Sequence, residues 1–274
     1  MLRRLSYGLF AVFLFITANV LATDAMPSLR LSTTTSTENS GLLKVLLPAF
    51  EKKTGYKVQV IAVGTGKALK MGENGDVDVV LAHARGAEDK FIADGHGVNR
   101  RDVMYNDFLI VGAKDDPAGI KGLSDAAEAL KKIQAKKAVF VSRGDKSGTH
   151  EKELELWQAA GVKPTGEWYR EAGQGMGEVL QMSGELSAYT IVDRGTWLAY
   201  KTKSPLVELV QGDKRLFNPY GVMAVNPEKF KDINYMGAMS LIAWLTSVEG
   251  QTLIHDFTIN NEALFIPTAI HFDK

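Results

Sequence analysis

The sequence contains no cysteine, and its charges show no excess of either sign. The lack of cysteine across 274 residues excludes disulfides, thiol catalysis and cysteine-ligated metals. Basic and acidic side chains number 32 each, which argues against nucleic acid or an anionic membrane as the main partner. A chain of this length folds without disulfides as one or two domains. Any bound anion must therefore be attracted locally, by dipoles and a few well-placed cations.

The first 22 residues have the pattern of a secretory signal peptide. Arg3 and Arg4 form the basic start, and residues 9–20 are apolar but too short to span a bilayer comfortably. We predict cleavage after Ala22 and export to the periplasm, with an uncleaved anchor as the alternative. The mature protein is expected free in solution, because it has no cysteine for a lipid anchor. Its formal charge becomes −2, since Arg3 and Arg4 are the only charged residues removed.

Strand-like and helix-like segments alternate along the mature chain, which predicts an α/β fold with mostly parallel sheets. The predicted strands are residues 29–31, 57–62, 77–82, 108–113, 138–141, 187–192 and 220–225. The predicted helices are residues 41–53, 67–71, 88–94, 124–134 with Ser124 as the cap, 149–160, 175–182, 194–200, 235–246 and 248–257. No low-complexity linker interrupts this order, which favours two lobes joined by strands.

Four polar loops follow predicted strands, at the positions where open α/β sheets bind ligands. The first is the hydroxyl-rich run STTTST at residues 32–37. Hydroxyls and the free N–H groups of a helix start suit an anion. Helix capping alone needs only one such side chain. We therefore predict anion contacts from Thr34, Thr35 and Ser36.

The second loop is VGTGKA at residues 63–68. Its glycines let the backbone approach a bound group closely, and its threonine adds a hydroxyl donor. Gly64 and Thr65 are the candidate contacts. Lys67 is more simply interpreted as a solvent-exposed charge on the following helix. The glycine spacing of this loop is not that of a Walker loop.

The third loop is SRGDKSGTH at residues 142–150. Arg143 can present two parallel donors to an oxyanion, or it can pair with Asp145. The two roles are compatible if Asp145 orients the guanidinium toward the anion. Ser147, Gly148 and Thr149 lie at the following helix entry and are candidate contacts. His150 reads as a first-turn residue without a ligand role.

The fourth region, residues 189–196, ends in a helix start with Asp193 as its cap. Arg194 in that first turn is disfavoured by the helix dipole unless it faces an anion or an acid. Asp193 is the expected acid, and Arg194 is either structural, supporting the site from behind, or in contact with the ligand.

No acid–base machinery accompanies these donors. Ser147 with His150 is the only tempting local pair, and no G-x-S-x-G elbow is present. The five histidines show no metal-ligand spacing. The pattern favours a binding protein over an enzyme, with no cofactor and no cationic metal.

Several stretches together resemble one family, the tungstate-binding substrate-binding proteins of bacterial ABC importers. They are TTTSTENSG at 33–41, VGTGKAL at 63–69, SRGD and SGTH within 142–150, DVMYNDF at 102–108, WYREAGQGM at 168–176 and NPYGV at 218–222. The resemblance implies a type II periplasmic binding fold with two α/β lobes around a ligand cleft. It places lobe 1 at residues 23–113 and 222–274, and lobe 2 at residues 114–221. Anion contacts then fall on residues 33–36 and on Arg143, with Asp145 behind it.

The resemblance also implies partners: tungstate or molybdate, and the membrane permease of an ABC importer. We expect a monomer that binds no nucleic acid. Tungstate and molybdate carry no proton near neutral pH, so a pocket of donors suits them, and both lobes should close over the ion. Phosphate keeps a proton, and Asp145 is the residue that could accept it. A periplasmic enzyme using Ser147 and His150, or a sensor, are the remaining alternatives.

Overall fold

The computed structural model describes residues 27–145 and 147–272, so the predicted signal peptide lies outside the described part. The strands are β1 Ser28–Thr34, β2 Lys57–Val63, β3 Val79–Ala82, β4 Gly97–Gly112, β5 Phe140–Ser142, β6 Tyr169–Glu171, β7 Thr190–Asp193, β8 Val207–Val210, β9 Phe217–Val225, β10 Thr258–Ile259, β11 Glu262–Ala263 and β12 Ile266–Pro267. The helices are α1 Thr35–Asn39, α2 Leu43–Thr54, α3 Thr65–Asn74, α4 Arg85–Ala93, α5 Ala126–Ala135, α6 Gly148–Ala159, α7 Met176–Glu185, α8 Arg194–Tyr200, α9 Tyr235–Leu245 and α10 Val248–His255, and Lys214–Leu216 is a 3₁₀ turn. Among these helices none has the length and apolar character needed to cross a bilayer.

The first sheet has the strand order β12-β4-β9-β3-β1-β2. Its β1, β2 and β3 are parallel, as the alternating pattern predicts, and helices follow each of them. β9 and β4 then continue the sheet in antiparallel pairing. All four residues of β3 are buried, which explains its unbroken apolar sequence.

β4 is the strand that joins the two parts of the molecule. Its first part, between Gly97 and Asp107, pairs with β9 with two interruptions, and its last residues pair with β7 and β8. The sequence predicts only residues 108–113 as a strand and misses the rest. The missed part is irregular, with Asn99 at φ 55 and register shifts beside Val98 and Asp102, and its exposed charged side chains hide the strand pattern.

Hydrophobic side chains form separate cores on the two sides of this strand. One core includes Leu31, Val103 and Met104 of the first sheet together with α2 and α9. Another begins at Phe108 and includes Leu130 and Trp157 of helices α5 and α6. The cores therefore divide within β4, between Met104 and Phe108. The lobe boundaries near residues 113 and 222 stay a prediction.

Two local expectations have clear outcomes. The helix predicted over residues 194–200 is confirmed as α8. The expected cap of α5 is wrong: Asp125, not Ser124, accepts a hydrogen bond from the Glu128 N–H at 2.9 Å. A carboxylate adjacent to the first turn is the stronger acceptor, since it also meets the positive end of the helix dipole.

A buried ion pair lies against β9 and fixes the turn that follows β3. Glu88 is fully buried, pairs with Arg100 at 2.7 Å and accepts the Ala84 N–H at 2.8 Å. Gly221 of β9 leaves the space that this pair fills, because a Cβ there would lie 2.6 Å from Arg100 Nη2 and collide with Glu88 as well.

We predict that Gly221→Ala lowers the free energy of unfolding by about 2 kcal/mol or more, because the added methyl displaces a buried ion pair. Gly86→Ala is the matched control, since Gly86 lies in α4 with open space around it. That variant should leave stability unchanged or raise it by up to about 1 kcal/mol. Urea unfolding followed by circular dichroism measures both. Equal stability of the two variants would contradict the conclusion that Gly221 leaves space for the Glu88–Arg100 pair.

Candidate anion-binding site

The three parallel strands of the first sheet end side by side. Thr34 at the end of β1 pairs with Val63 at the end of β2, and Thr33 pairs with Leu81 of β3. The residues that follow are therefore brought to one edge: Thr35 of α1, Gly64 before α3, and His83 after β3. This is the edge at which the sequence predicts ligand contacts.

The second part of the molecule has an equivalent edge. β5 runs parallel to β6, with Ser142 opposite Glu171, and it bridges to the start of β7 in parallel orientation. Arg143 follows β5, and Arg194 follows β7. Both predicted arginines thus lie at the carboxyl ends of neighbouring parallel strands.

The two edges approach each other where β4 passes between the sheets. Phe108 of β4 pairs with Asp193 of β7, one residue after Asp107 pairs with β9. The His83 ring stacks on Tyr220 of β9 with centroids 4.7 Å apart. The Asp193 carboxylate is close enough to influence the pKa of both rings. A residue of the second edge therefore lies near the residues of the first.

The hydroxyl-rich run is divided between a strand and a helix, where the sequence predicts a loop. Ser32 and Thr33 lie inside β1, and their hydroxyls donate to the Ala68 and Leu81 carbonyls at 3.0 and 2.9 Å. These two hydroxyls tie β1 to α3 and to β3, and they are not free to contact an anion. Thr34 ends the strand and caps α1, and after it Thr35 and Ser36 are exposed.

The second loop forms the start of α3. Gly64 is its N-cap residue and has no side chain to accept from the first turn of the helix. The N–H groups of that turn are therefore left to solvent or to a ligand. Thr65 is the first helical residue and is half-buried, and Lys67 is exposed.

The third loop combines a cation with a helix start. The Arg143 guanidinium donates to Asp145 Oδ2, at 2.6 Å from Nη2 and 3.1 Å from Nε. Asp145 Oδ1 also accepts the Ser147 N–H at 3.1 Å. Burial acts to raise the pKa of Asp145, but the bonds from Ser147 and Arg143 outweigh it and lower the pKa. The carboxylate stays charged and orients the guanidinium.

The start of α6 follows directly. Ser147 is the N-cap, and its hydroxyl accepts the His150 N–H at 3.4 Å. Gly148 is exposed, whereas Thr149 and His150 are buried in the first turn. The Ser147 hydroxyl thus has a capping role, and His150 lies in the first turn as the sequence predicts.

The acid expected to pair with Arg194 is wrong. Arg194 makes a two-bond pair with Asp107 of β4, with Nη2 2.7 Å from Oδ2, and it also donates to Gln211. Asp193 instead caps α8 by accepting the N–H and hydroxyl of Thr196 at 2.8 and 2.6 Å. Asp193 is thus used to cap α8, and the carboxylate that pairs with Arg194 comes from the neighbouring strand β4.

Sequence reasoning missed the polar cluster around His83. The His83 Nε2 lies 3.0 Å from Thr34 Oγ1 and 3.1 Å from Ser36 Oγ. Its Nδ1 lies 3.0 Å from Asn218 Oδ1, and Asn218 donates to Asn106 at 2.7 Å. One signal was available: His83 directly follows a buried strand, at the same edge as the loops. The spacing of the histidines along the chain does not reveal this cluster, and among the described residues no metal-holding group of His, Asp or Glu occurs.

Comparison with known proteins identifies the family. Residues 22–249 match the model of the PBP superfamily domain. A tungstate-binding protein TupA of Peptoclostridium acidaminophilum is 51% identical over 237 residues, which cover 86% of this chain and 83% of that protein.

Solved structures agree with this match. The tungstate-binding protein TupA of Desulfovibrio alaskensis G20 superposes with a TM-score of 0.85 at 46% identity, over 89% of this chain and 100% of that one. A crystal structure described as the tungstate ABC transporter of Geobacter sulfurreducens has a TM-score of 0.75 at 63% identity, over 85% of this chain and 100% of that one.

These relatives are named as binding or transport proteins and not as enzymes, which confirms the prediction of a binding protein. The predicted α/β periplasmic-binding fold is confirmed as well. The chain belongs to the PBP superfamily, and within it to the family of the tungstate-binding protein TupA.

Proposed function

We propose that the protein binds tungstate, with molybdate as a second ligand, outside the cytoplasm and delivers it to an ABC importer. One observation carries the proposal: in each part of the molecule parallel strands end side by side, with hydroxyls and helix starts after one set and a guanidinium and a helix start after the other. The names of the relatives support the choice of ion.

The proposed contacts come from both edges. They are Thr34, Thr35, Ser36, Gly64 and Thr65 on one side, and Arg143, Ser147, Gly148 and Thr149 on the other. Asp145 and Arg194 support them through the ion pairs described above. Binding from both sides would draw the two lobes, residues 23–113 with 222–274 and residues 114–221, together over the ion.

An unprotonated dianion fits this set better than phosphate does. Phosphate needs an acceptor for its remaining proton, and Asp145 is the one candidate that the sequence offers. The oxygens of that carboxylate already accept from Arg143 and from the Ser147 N–H. Three donors already use most of the about four acceptor positions of this carboxylate, so it has little capacity left for the proton of phosphate.

We infer further that residues 1–22 direct export as a signal peptide and that the mature chain works as a monomer in the periplasm. Its protein partner is the membrane permease of an ABC importer, and nucleic acid is not a partner. The balance of 32 basic and 32 acidic side chains in the whole chain supports the exclusion of nucleic acid.

We expect competition calorimetry on residues 23–274 to give tight binding of tungstate and molybdate, and binding of phosphate at least about tenfold weaker, the scale of one charged hydrogen bond. Sulfate is the control for charge without a proton, and phosphate tests the acceptor argument. Phosphate binding as tight as tungstate binding would reject the proposed ligand.

Arg143→Ala should weaken tungstate binding by more than about tenfold, since a charge-assisted bond contributes about 1.5–3 kcal/mol. Arg143→Lys should recover only part of the loss, because an ammonium group lacks the paired donors. Lys90→Ala is the control for loss of a surface cation: Lys90 lies in the last turn of α4 and pairs with Asp94 at 2.7 Å. An unchanged titration for Arg143→Ala would remove this residue from the site.

A further inference from the structure

The described cations near the proposed site are nearly all paired with carboxylates. Arg143 is held by Asp145, and Arg194 by Asp107. Asp193 adds a negative charge close to the ring of His83. Lys67 is exposed on the first turn of α3. A dianion entering this place meets little net positive charge, and enclosing it without compensation is costly.

His83 is the titratable group that lies among the proposed contacts. Its Nε2 is 3.0 Å from the hydroxyl oxygen of Thr34 and 3.1 Å from that of Ser36. Both of these residues belong to the proposed anion-binding set. The ring is held in place by stacking on Tyr220. Its charge state therefore acts directly on two of the hydroxyl donors.

The neighbours of the ring determine which nitrogen carries its proton. The Nδ2 of Asn218 donates to Asn106 at 2.7 Å, so Asn218 Oδ1 faces the ring, and it lies 3.0 Å from His83 Nδ1. A carbonyl oxygen only accepts, so Nδ1 carries the hydrogen. In a neutral ring Nε2 must then accept a hydrogen bond from the hydroxyl of Thr34 or Ser36.

The surroundings keep the ring neutral in the empty protein. Burial lowers the pKa of His83, although the Asn218 bond and the Asp193 charge act in the opposite direction. Tyr220 on the facing strand stays uncharged, because burial raises its pKa. On the ring's own segment, Glu88 is neutralised by Arg100. Asp193 is thus the charged group facing the ring from the second edge.

We propose that His83 takes up a proton from solvent at Nε2 when the anion binds, so that binding of the dianion is coupled to protonation of the ring. The added proton turns Nε2 from an acceptor into a donor toward Thr34 and Ser36. The hydroxyl hydrogen formerly donated to the ring becomes available to the anion, and a positive charge is added beside it. This inference rests on the proposed function, since it requires a dianion in contact with Thr34 or Ser36.

The coupling has a defined sign. The dianion raises the pKa of His83 in the complex above its value in the empty protein, so protons are taken up at pH values between the two. Affinity for tungstate therefore increases as pH falls through this range. For one coupled proton the dissociation constant decreases by at most about tenfold per pH unit.

The test is calorimetry of tungstate binding at about pH 6.5, the ordinary pKa of histidine, in two buffers of different ionisation enthalpy. The difference between the observed enthalpies gives the number of protons taken up. We expect a net uptake of protons, up to one per anion, for the natural sequence, and close to none for His83→Gln. His255→Gln is the matched control, since His255 is exposed on α10 and pairs with Asp256 at 2.8 Å. It should behave as the natural sequence does.

Nitrogen-15 spectra of the histidine rings provide a second readout in the unchanged protein, in case His83→Gln does not bind. We expect one protonated ring nitrogen for His83 without tungstate and two with it. If tungstate binds but no proton is taken up, or if His83→Gln takes up as many protons as the natural sequence, the coupling is wrong and the proposed function stands. If the natural sequence does not bind tungstate at all, the proposed function fails and the coupling fails with it.

Discussion

The arrangement of the molecule depends on one strand that belongs to both sheets. β4 pairs with β9 along its first part and with β7 and β8 along its last part, and the hydrophobic cores divide in its middle. Because one strand pairs with both sets, Asp193 at the end of β7 lies beside Phe108, one residue along β4 from Asp107, which pairs with β9. The proposed site requires that loops from both parts of the chain come together near this strand.

Around that place, most fixed charges are balanced before any ligand arrives. Asp145 and Asp107 each hold an arginine in a defined orientation. The ion pair weakens the attraction of the guanidinium for an anion, but it fixes the direction of the guanidinium. In the proposed site, recognition of an anion would depend on hydroxyls, on helix starts without a side-chain cap such as that of α3, and on the direction of their hydrogens. His83 matters in this setting, since it is in contact with two hydroxyls and its charge can change.

The chemistry of the loops was readable from the sequence because it is local. Glycines and hydroxyl residues directly after short apolar runs predict strand-to-helix corners, and α1, α3 and α6 begin where such residues occur. The pairing of Arg143 with Asp145 also follows from proximity along the chain. The hydrogen bonds of the Ser32 and Thr33 hydroxyls could not be predicted in this way, because their acceptors lie on a helix and on a neighbouring strand, far along the chain.

The sequence by itself determined the fold class, the family and the residue types that a bare anion requires, since each of these is expressed in local patterns and motifs. The tertiary structure alone decided the partners of the side chains that bond across the fold. Arg194 chooses Asp107 over its own neighbour because β4 and β7 are paired in register, and His83 meets an asparagine 135 residues away. Such contacts depend on sheet pairing across the whole chain, and no local pattern encodes them.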